Sequence, residues 1–263
     1  MMPHDRVQNA VTIITGASSG IGLATAEAFA GAGARLVLAA RSSEKLAALT
    51  PALEARGAEV LAVPTDVTSE AGVRKLVDQA VARFGRVDIA VCNAGIYIRG
   101  TVKDLPLEVF ERCMSVNFYG TLHLIRAVLP LMLAQRSGHI VAVTSVDGRK
   151  GLPLDAAYVA SKFATTGFVD VLRQELRGTG VFVSTIMPGR VDTPMIATLA
   201  VPLASAKIPS ARVGRAVLRA VRRRRREIVI PFAGPKALIV FSALWPGVGD
   251  WLVRFFKLEG KER

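Results

Sequence analysis

The sequence predicts one doubly wound α/β domain with a parallel sheet of about seven strands, and three observations carry that prediction. Short β-branched apolar runs recur along the chain, beginning with Val11-Thr12-Ile13-Ile14, and they have the length and composition of strands buried on both faces. Helical patterns separate them, as crossovers between parallel strands require. The first run leads straight into Thr15-Gly16-Ala17-Ser18-Ser19-Gly20-Ile21-Gly22, a glycine-rich turn that opens a helix.

Length and composition agree with one large core, since 263 residues at 51% hydrophobic content suit a single α/β domain better than two. The two cysteines, Cys92 and Cys113, sit in apolar contexts and read as buried free thiols in a reducing cytoplasm. Residues 1–9 carry no signal-peptide core, and no run reaches the ~18 apolar residues of a membrane span. The net charge of +13 is largely local, because residues 210–226 hold eight Arg and no acid, leaving +5 elsewhere. No aromatics are interleaved there, which argues against a nucleic-acid groove.

Residues 7–15 are the first strand, and the turn after it has the order that a dinucleotide phosphate site needs. Glycines let the backbone approach a pyrophosphate and the helix N-terminus adds N–H groups and partial positive charge, making Gly16, Ser18, Ser19, Gly20, Ile21 and Gly22 candidate contacts. The competing reading is a Gly/Ser turn without a ligand. Residues 35–39 are the second strand. The acid that would bind a ribose 2′-hydroxyl is expected about 20 residues after the glycines, but the strand runs out in Ala40-Arg41-Ser42. Arg41 suits a 2′-phosphate, so NADP(H) is favoured over NAD(H); otherwise Arg41 is a solvated loop residue.

A helix capped by Ser42 or Ser43 follows, with Pro51 expected to end or kink it. Residues 59–63 are the third strand, and Asp66 and Val67 lie just past its end, where strands of such a sheet face the ligand crevice. Asp66 either accepts from an adenine amino group or caps the helix starting near Ser69. Residues 88–92 form a fourth strand opening into Asn93-Ala94-Gly95, small enough for a ribose to pack on backbone. Residues 105–136 read as one long helix with Asn117 at its middle, a residue mildly unfavourable there, which lines the crevice or faces solvent.

Residues 139–144 are the fifth strand, ending at Ser145, and Tyr158-Val159-Ala160-Ser161-Lys162 lies on the next helix. Tyr158 and Lys162 are four residues apart and share a helix face. A free tyrosine ionises at roughly 10, and bringing it to about 7 requires roughly 4 kcal/mol, which one lysine and one cationic nicotinamide ring together could supply. A strand-end hydroxyl and a phenol on the following helix can converge on one substrate oxygen. Residues 181–187 are the sixth strand, followed by Pro188-Gly189-Arg190-Val191-Asp192-Thr193. Residues 195–208 are an apolar stretch suited to a movable flap. A helix opening at Ser210 buries Val213, Val217, Ala220 and Val221 and ends in the run 222–226, where its dipole favours cations; residues 227–230 are a seventh strand.

Taken in order, these motifs resemble the short-chain dehydrogenase/reductase family over residues 7–230: Thr15 to Gly22, Asn93-Ala94-Gly95, Asn117, Ser145, Tyr158-x-x-x-Lys162 and Pro188-Gly189 with Thr193. The resemblance implies a Rossmann-like fold and NADP-dependent interconversion of an alcohol and a carbonyl. It implies Tyr158 as general acid/base, Lys162 lowering its pKa and binding the nicotinamide ribose, Ser145 orienting the substrate oxygen, and Asn117 holding a relay water. Backbone of Pro188, Gly189 and Val191 would meet the nicotinamide carboxamide, with Thr193 bonding it. Cys92 stands where many relatives have Asn, and Asp147 and Asp155 stand where many have small or apolar residues; each acid faces the substrate or solvent, with solvent favoured.

No His, Cys or Asp cluster has metal-ligand spacing, and His4, His123 and His139 are scattered, so no metal is expected. The catalytic domain is expected to occupy residues 1–231, with residues 232–263 an apolar and basic extension. Both tryptophans lie within residues 236–257, beside Lys and Arg, in a stretch that suits a membrane surface, a partner subunit of a homo-oligomer or the substrate mouth. The expected substrate is a hydrophobic carbonyl or alcohol. A different class of function, a nucleotide-sensing scaffold docked through the basic helix and the tail, has no need of all four groups Asn117, Ser145, Tyr158 and Lys162.

Overall fold

The computed structural model describes residues 6–262. Its main sheet is built from β1 (Val11–Thr15), β2 (Arg35–Ala40), β3 (Val60–Pro64), β4 (Ile89–Cys92), β5 (Gly138–Val143), β6 (Val181–Pro188) and β10 (Glu227–Ile230). All pairings are parallel, in the order β3-β2-β1-β4-β5-β6-β10. The order reverses between β1 and β4, and the crevice outside the strand ends there is where doubly wound sheets bind ligands.

Period-two alternation assigns the strand side chains to two cores. Ile14, Leu36 and Leu38 pack with α1 (Gly20–Ala30), α2 (Ser43–Glu54) and α7 (Ser210–Arg223) through Phe29, Leu46, Leu53, Val213 and Val217. Ile13 and Val37 face the other side, where α3 (Glu70–Phe84), α5 (Gly120–Ala134) and α6 (Ala156–Glu175) bring Leu76, Leu124, Val128, Met132 and Val169. Each such fully buried aliphatic side chain contributes about 1.5–3 kcal/mol. With both faces covered, the strands are continuous apolar runs, which makes them legible in the sequence.

Two helices depart from expectation. Pro51 does not end α2, which runs on to Glu54; the exposed proline simply lacks the N–H that would bond one turn back. Residues 105–136 are not one regular helix: α4 (Leu107–Cys113) passes through a π-helical turn, Met114–Tyr119, before α5. By length and composition alone the run Leu107–Ala134 could cross a membrane, but Leu124, Ile125, Val128 and Met132 are fully buried against the sheet.

After β6 the chain forms β7 (Val191–Asp192), β8 (Leu199–Ala200) and β9 (Ile208–Pro209), short strands that stiffen the expected flap. The last segment is a helical hairpin, α8 (Ala233–Leu244) and α9 (Pro246–Phe255), followed by β11 (Lys261–Glu262), which pairs antiparallel with β8. The hairpin is pinned by Lys236 to Glu227 at 2.7 Å and Lys150 to Asp250 at 2.5 Å. Its outer side leaves Phe241, Leu244, Trp245, Trp251 and Phe255 exposed.

Candidate active site

A cavity of about 800 Å³ runs from the N-terminus of α1 to α8. At one end, Gly16 and Gly20 adopt positive φ of 66° and 54°. A Cβ on Gly16 would sit 2.9 Å from Ala94 Cα, and one on Gly22 would collide with the Gly16 carbonyl oxygen. Ser19 does not cap α1 with its side chain, leaving the first helical amides to an anion. Thr15 Oγ1 accepts the amides of Asn93 at 3.0 Å and Ala94 at 3.2 Å, and Asn93 Nδ2 donates to Thr15 O at 2.9 Å, so the loops after β1 and β4 are tied together. Cys92, just before them, is buried and its thiol is pushed up to about 12.

Arg41 is exposed on the cavity rim directly after β2. Asp66 faces the same rim, and its Oδ1 accepts from Thr68 N at 2.9 Å and Thr68 Oγ1 at 2.8 Å. Those two bonds, with Arg41's charge, hold the carboxyl below its usual range. Ser69, not Asp66, caps α3 by accepting from Gly72 N at 3.0 Å. Thr193 reaches back to the phosphate turn, where a Cβ on Gly20 would be 3.0 Å from its Cγ2. Ser18, Ser19, Ile21, Val67, Gly95, Pro188, Gly189 and Val191 also line the cavity, and Gly22 does not.

Farther along, Ser145, Tyr158 and Lys162 line the same cavity. Lys162 Nζ lies 5.6 Å from the Tyr158 ring centroid and donates to Val143 O at 3.1 Å. Burial pushes this ammonium down to about 8, against the Asp147 carboxylate, which favours the charged form. The expected lowering of the Tyr158 pKa is absent among the protein's own groups: dehydration, then the Asp147 charge, raises it, and the Ser145 hydroxyl bond only partly opposes them. The cation of an oxidised nicotinamide would be the remaining charge able to favour the phenolate.

Asn117 stands behind this wall at 1% exposure, within the π turn. Its Oδ1 accepts from Ile96 N at 2.8 Å, and its Nδ2 donates to Ile96 O at 3.0 Å and Ser161 Oγ at 2.9 Å. Neither crevice-lining nor solvent-facing, the side chain joins the loop after β4 to α6. The backbone carbonyl of Asn117 accepts from the hydroxyls of Thr121 and Thr165.

The two acids expected in solvent are not there. Asp155 is fully buried and receives Tyr97 Oη at 2.7 Å and Arg99 Nε at 3.2 Å. Asp147 lines the cavity, and burial first, then the Asp155 charge, pushes its carboxyl up to about 6, while Arg190, Ser145 and Lys162 pull it down. Tyr97, Arg99, Lys150 and Arg190 carry no local sequence signal of these roles, because the contacts join segments far apart in the chain.

His139 is buried against Ser184 and His123 bonds Val67 O, while His4 lies outside the described residues. Among the described residues no three His, Cys, Asp or Glu side chains group to hold a metal.

A family model described as short chain dehydrogenase matches residues 10–202. The chain is 33% identical over 269 residues to dehydrogenase/reductase SDR family member 7B of Bos taurus, covering 96% of this chain and 81% of that one. A short chain dehydrogenase/reductase from Burkholderia phymatum in complex with NAD superposes with a TM-score of 0.85 at 30% identity, covering 92% of this chain and 96% of that chain. An alcohol dehydrogenase from the archaeon Thermococcus sibiricus, complexed with 5-hydroxy-NADP, gives 0.77 at 29% identity over 84% of this chain and 95% of its own. With the seven-stranded parallel sheet, the glycine cradle and the Tyr-Lys helix in one crevice, the chain belongs to the short-chain dehydrogenase family of oxidoreductases.

Proposed function

We propose that the protein is an NADP(H)-dependent reductase of hydrophobic ketones or aldehydes, working in reverse on the corresponding alcohols. The observation that carries the reading is that the Ser145 and Tyr158 hydroxyls and the Lys162 ammonium share one cavity with the uncapped N-terminus of α1. The residues fit a dinucleotide: Gly16, Gly20 and Gly22 keep side chains out of the phosphate path, and Arg41 replaces the acid that would repel a 2′-phosphate. NADP(H) therefore remains favoured over NAD(H). When bound, the nicotinamide supplies or accepts the hydride.

In this reading Tyr158 gives its proton to the substrate oxygen during reduction and takes it back during oxidation. Ser145 bonds the same oxygen and fixes its position. Lys162 holds positive charge beside the phenol and the ribose, and Asn117 keeps α6 in register with the loop after β4. Backbone of Pro188, Gly189 and Val191, with Thr193, would hold the carboxamide, and Asn93, Ala94 and Gly95 the ribose. Asp66 and Val67 lie where adenine would rest. Met195, Ile196, Leu238 and Leu258 give the substrate end an apolar lining, so a greasy carbonyl compound is the substrate class.

We place residues 1–231 in the catalytic domain and 232–263 in an extension packed on it, in a reducing cytoplasm that suits two buried thiols. Self-association is assigned to the outer side of α8 and α9, since monomers rarely leave so many contiguous aromatics bare. The aromatics lie close in sequence to Arg254 and Lys257, which supports a membrane-surface reading of the same face. Sedimentation with and without anionic vesicles separates the two.

The test of the activity is NADPH oxidation across a panel of hydrophobic ketones and aldehydes. Turnover of at least one supports the reading. Tight NADPH binding with no turnover across the panel replaces it with the nucleotide-sensing scaffold.

A further inference from the structure

Between the catalytic wall and the chain end lies a cluster of charges that the proposed chemistry does not use. Asp155 is fully buried, with Tyr97 and Arg99 on Oδ1. Its Oδ2 is buried without a hydrogen-bond donor, and the Arg190 guanidinium stands 3.8 Å away. Both arginine side chains are themselves buried, at 7% and 9% exposure. Arg190 also faces the Asp147 carboxylate, so the charges of the cluster are matched, but the guanidinium N–H groups turned away from the acids leave a demand for acceptors inside the protein, where an unmet donor is costly.

Backbone carbonyls near the chain end satisfy it. Arg99 Nη2 donates to Glu259 O at 2.6 Å, and Arg190 Nη2 donates to Leu258 O at 3.0 Å and Glu259 O at 3.3 Å. Directly beyond, Gly260 takes φ +67°, and a Cβ there would be 2.7 Å from Ala200 O, so only glycine lets the chain turn against the flap. Lys261 and Glu262 then pair with Ala200 and Leu199. Leu258, the first residue of this segment, lines the cavity with Leu238.

We infer that residues 258–262 are a strap that closes the substrate end of the cavity and sets the size of the carbonyl compound admitted, with Arg99, Asp155 and Arg190 as its latch. The inference rests on reading the cavity as a carbonyl-reducing site. The latch offers the strap a second state. When the carbonyls of Leu258 and Glu259 leave, Arg190 needs to move only about 1 Å to reach hydrogen-bond distance of Asp155 Oδ2, the atom that lacks a donor in the closed state. Opening therefore exchanges one set of partners for another and does not strand both guanidiniums. The cluster also touches the catalytic wall, because Tyr97 packs edge-on against Tyr158.

Two variants test the strap: removal of residues 258–263, and Gly260→Val in the full chain, which keeps every latch residue but blocks the approach to Ala200. Each is compared with the wild type in NADPH affinity, in kcat/KM over ketones of increasing bulk, and in amide hydrogen exchange. The strap predicts unchanged NADPH affinity and a shift of about tenfold or more toward bulky ketones. It also predicts faster exchange at Leu199 and Ala200, with the amides of β1 and β5 unaffected. An unchanged bulky-to-small ratio in a folded variant overturns the inference, as does loss of NADPH binding together with core protection, which would make the segment a plain structural element. If the wild type turns over no carbonyl compound, the proposed activity fails, and the exchange pattern alone decides whether the strap closes over the flap.

Discussion

The Asp147 amide donates to Ser145 Oγ at 3.0 Å, and the same oxygen stands 3.2 Å from Asp147 Oδ2. One residue thus engages the serine hydroxyl through both its backbone and its side chain. A hydroxyl has one proton to donate, so while Asp147 is ionised it competes with a substrate oxygen for that proton.

Asp147 also makes stability depend on pH. Its folded pKa of about 6 lies above the value of 3.8 for a free carboxyl, so the folded state binds the proton more tightly and stability falls as pH rises from about 4 to about 6. Asp147→Asn removes that slope. Thermal unfolding at about pH 4 and about pH 7.5 should show the variant gaining on the wild type at the higher pH, with the gap closing at the lower. An equal gap at both would mean that Asp147 titrates normally.

Tyr158→Phe keeps the ring against Tyr97 and removes only the hydroxyl. Loss of a positioned general acid costs about a hundredfold to ten-thousandfold in kcat. NADPH affinity should stay within a few-fold of wild type, because the phosphate cradle and Arg41 are untouched. Steady-state kinetics with a fluorescence titration of NADPH checks both; activity retained in the variant would remove Tyr158 from the chemistry.

Arg41→Ala addresses the cofactor choice. A charged hydrogen bond to a phosphate contributes about 1.5–3 kcal/mol, so the Michaelis constant for NADPH should rise roughly tenfold to a hundredfold while that for NADH barely changes. Equal effects on the two cofactors would leave Arg41 a solvated rim residue.

What the sequence disclosed and what it concealed divide along the reach of the forces involved. The strands, the glycine turn and the Tyr158–Lys162 face depend on neighbours within a few residues, so composition and spacing expose them. Asp155 reads as a solvated acid because Arg99 is 56 residues away in the chain and Glu259, which completes its network, is farther still. The π turn is hidden for a similar reason: the partners that hold Asn117, Ile96 and Ser161, lie 21 and 44 residues from it. The tail's own sequence suited three surfaces, and its contact with the cavity through Gly234, Pro235, Leu238 and Leu258 joins segments too far apart in the chain to leave a local signal.

Asn117→Ala tests whether the side chain, rather than the helix itself, sustains the π turn. The substitution removes the partner of the Ile96 amide and carbonyl and one of the two bonds of the Ser161 hydroxyl, which still donates to Tyr158 O, around a side chain that is 1% exposed. Unsatisfied buried groups cost about 1–3 kcal/mol each, partly relieved when the helix relaxes, so an overall loss of roughly 2–4 kcal/mol is expected. The denaturant midpoint should fall with little change in slope, which marks a stability effect rather than a change in compactness. Because α4 and α5 remain good helical sequence, the relaxed chain can return to regular α geometry over residues 114–119, shifting the loop after β4 that carries Asn93 to Gly95. NADPH affinity should then weaken together with stability. A variant with full stability and full affinity would show that the π turn is held by backbone packing alone.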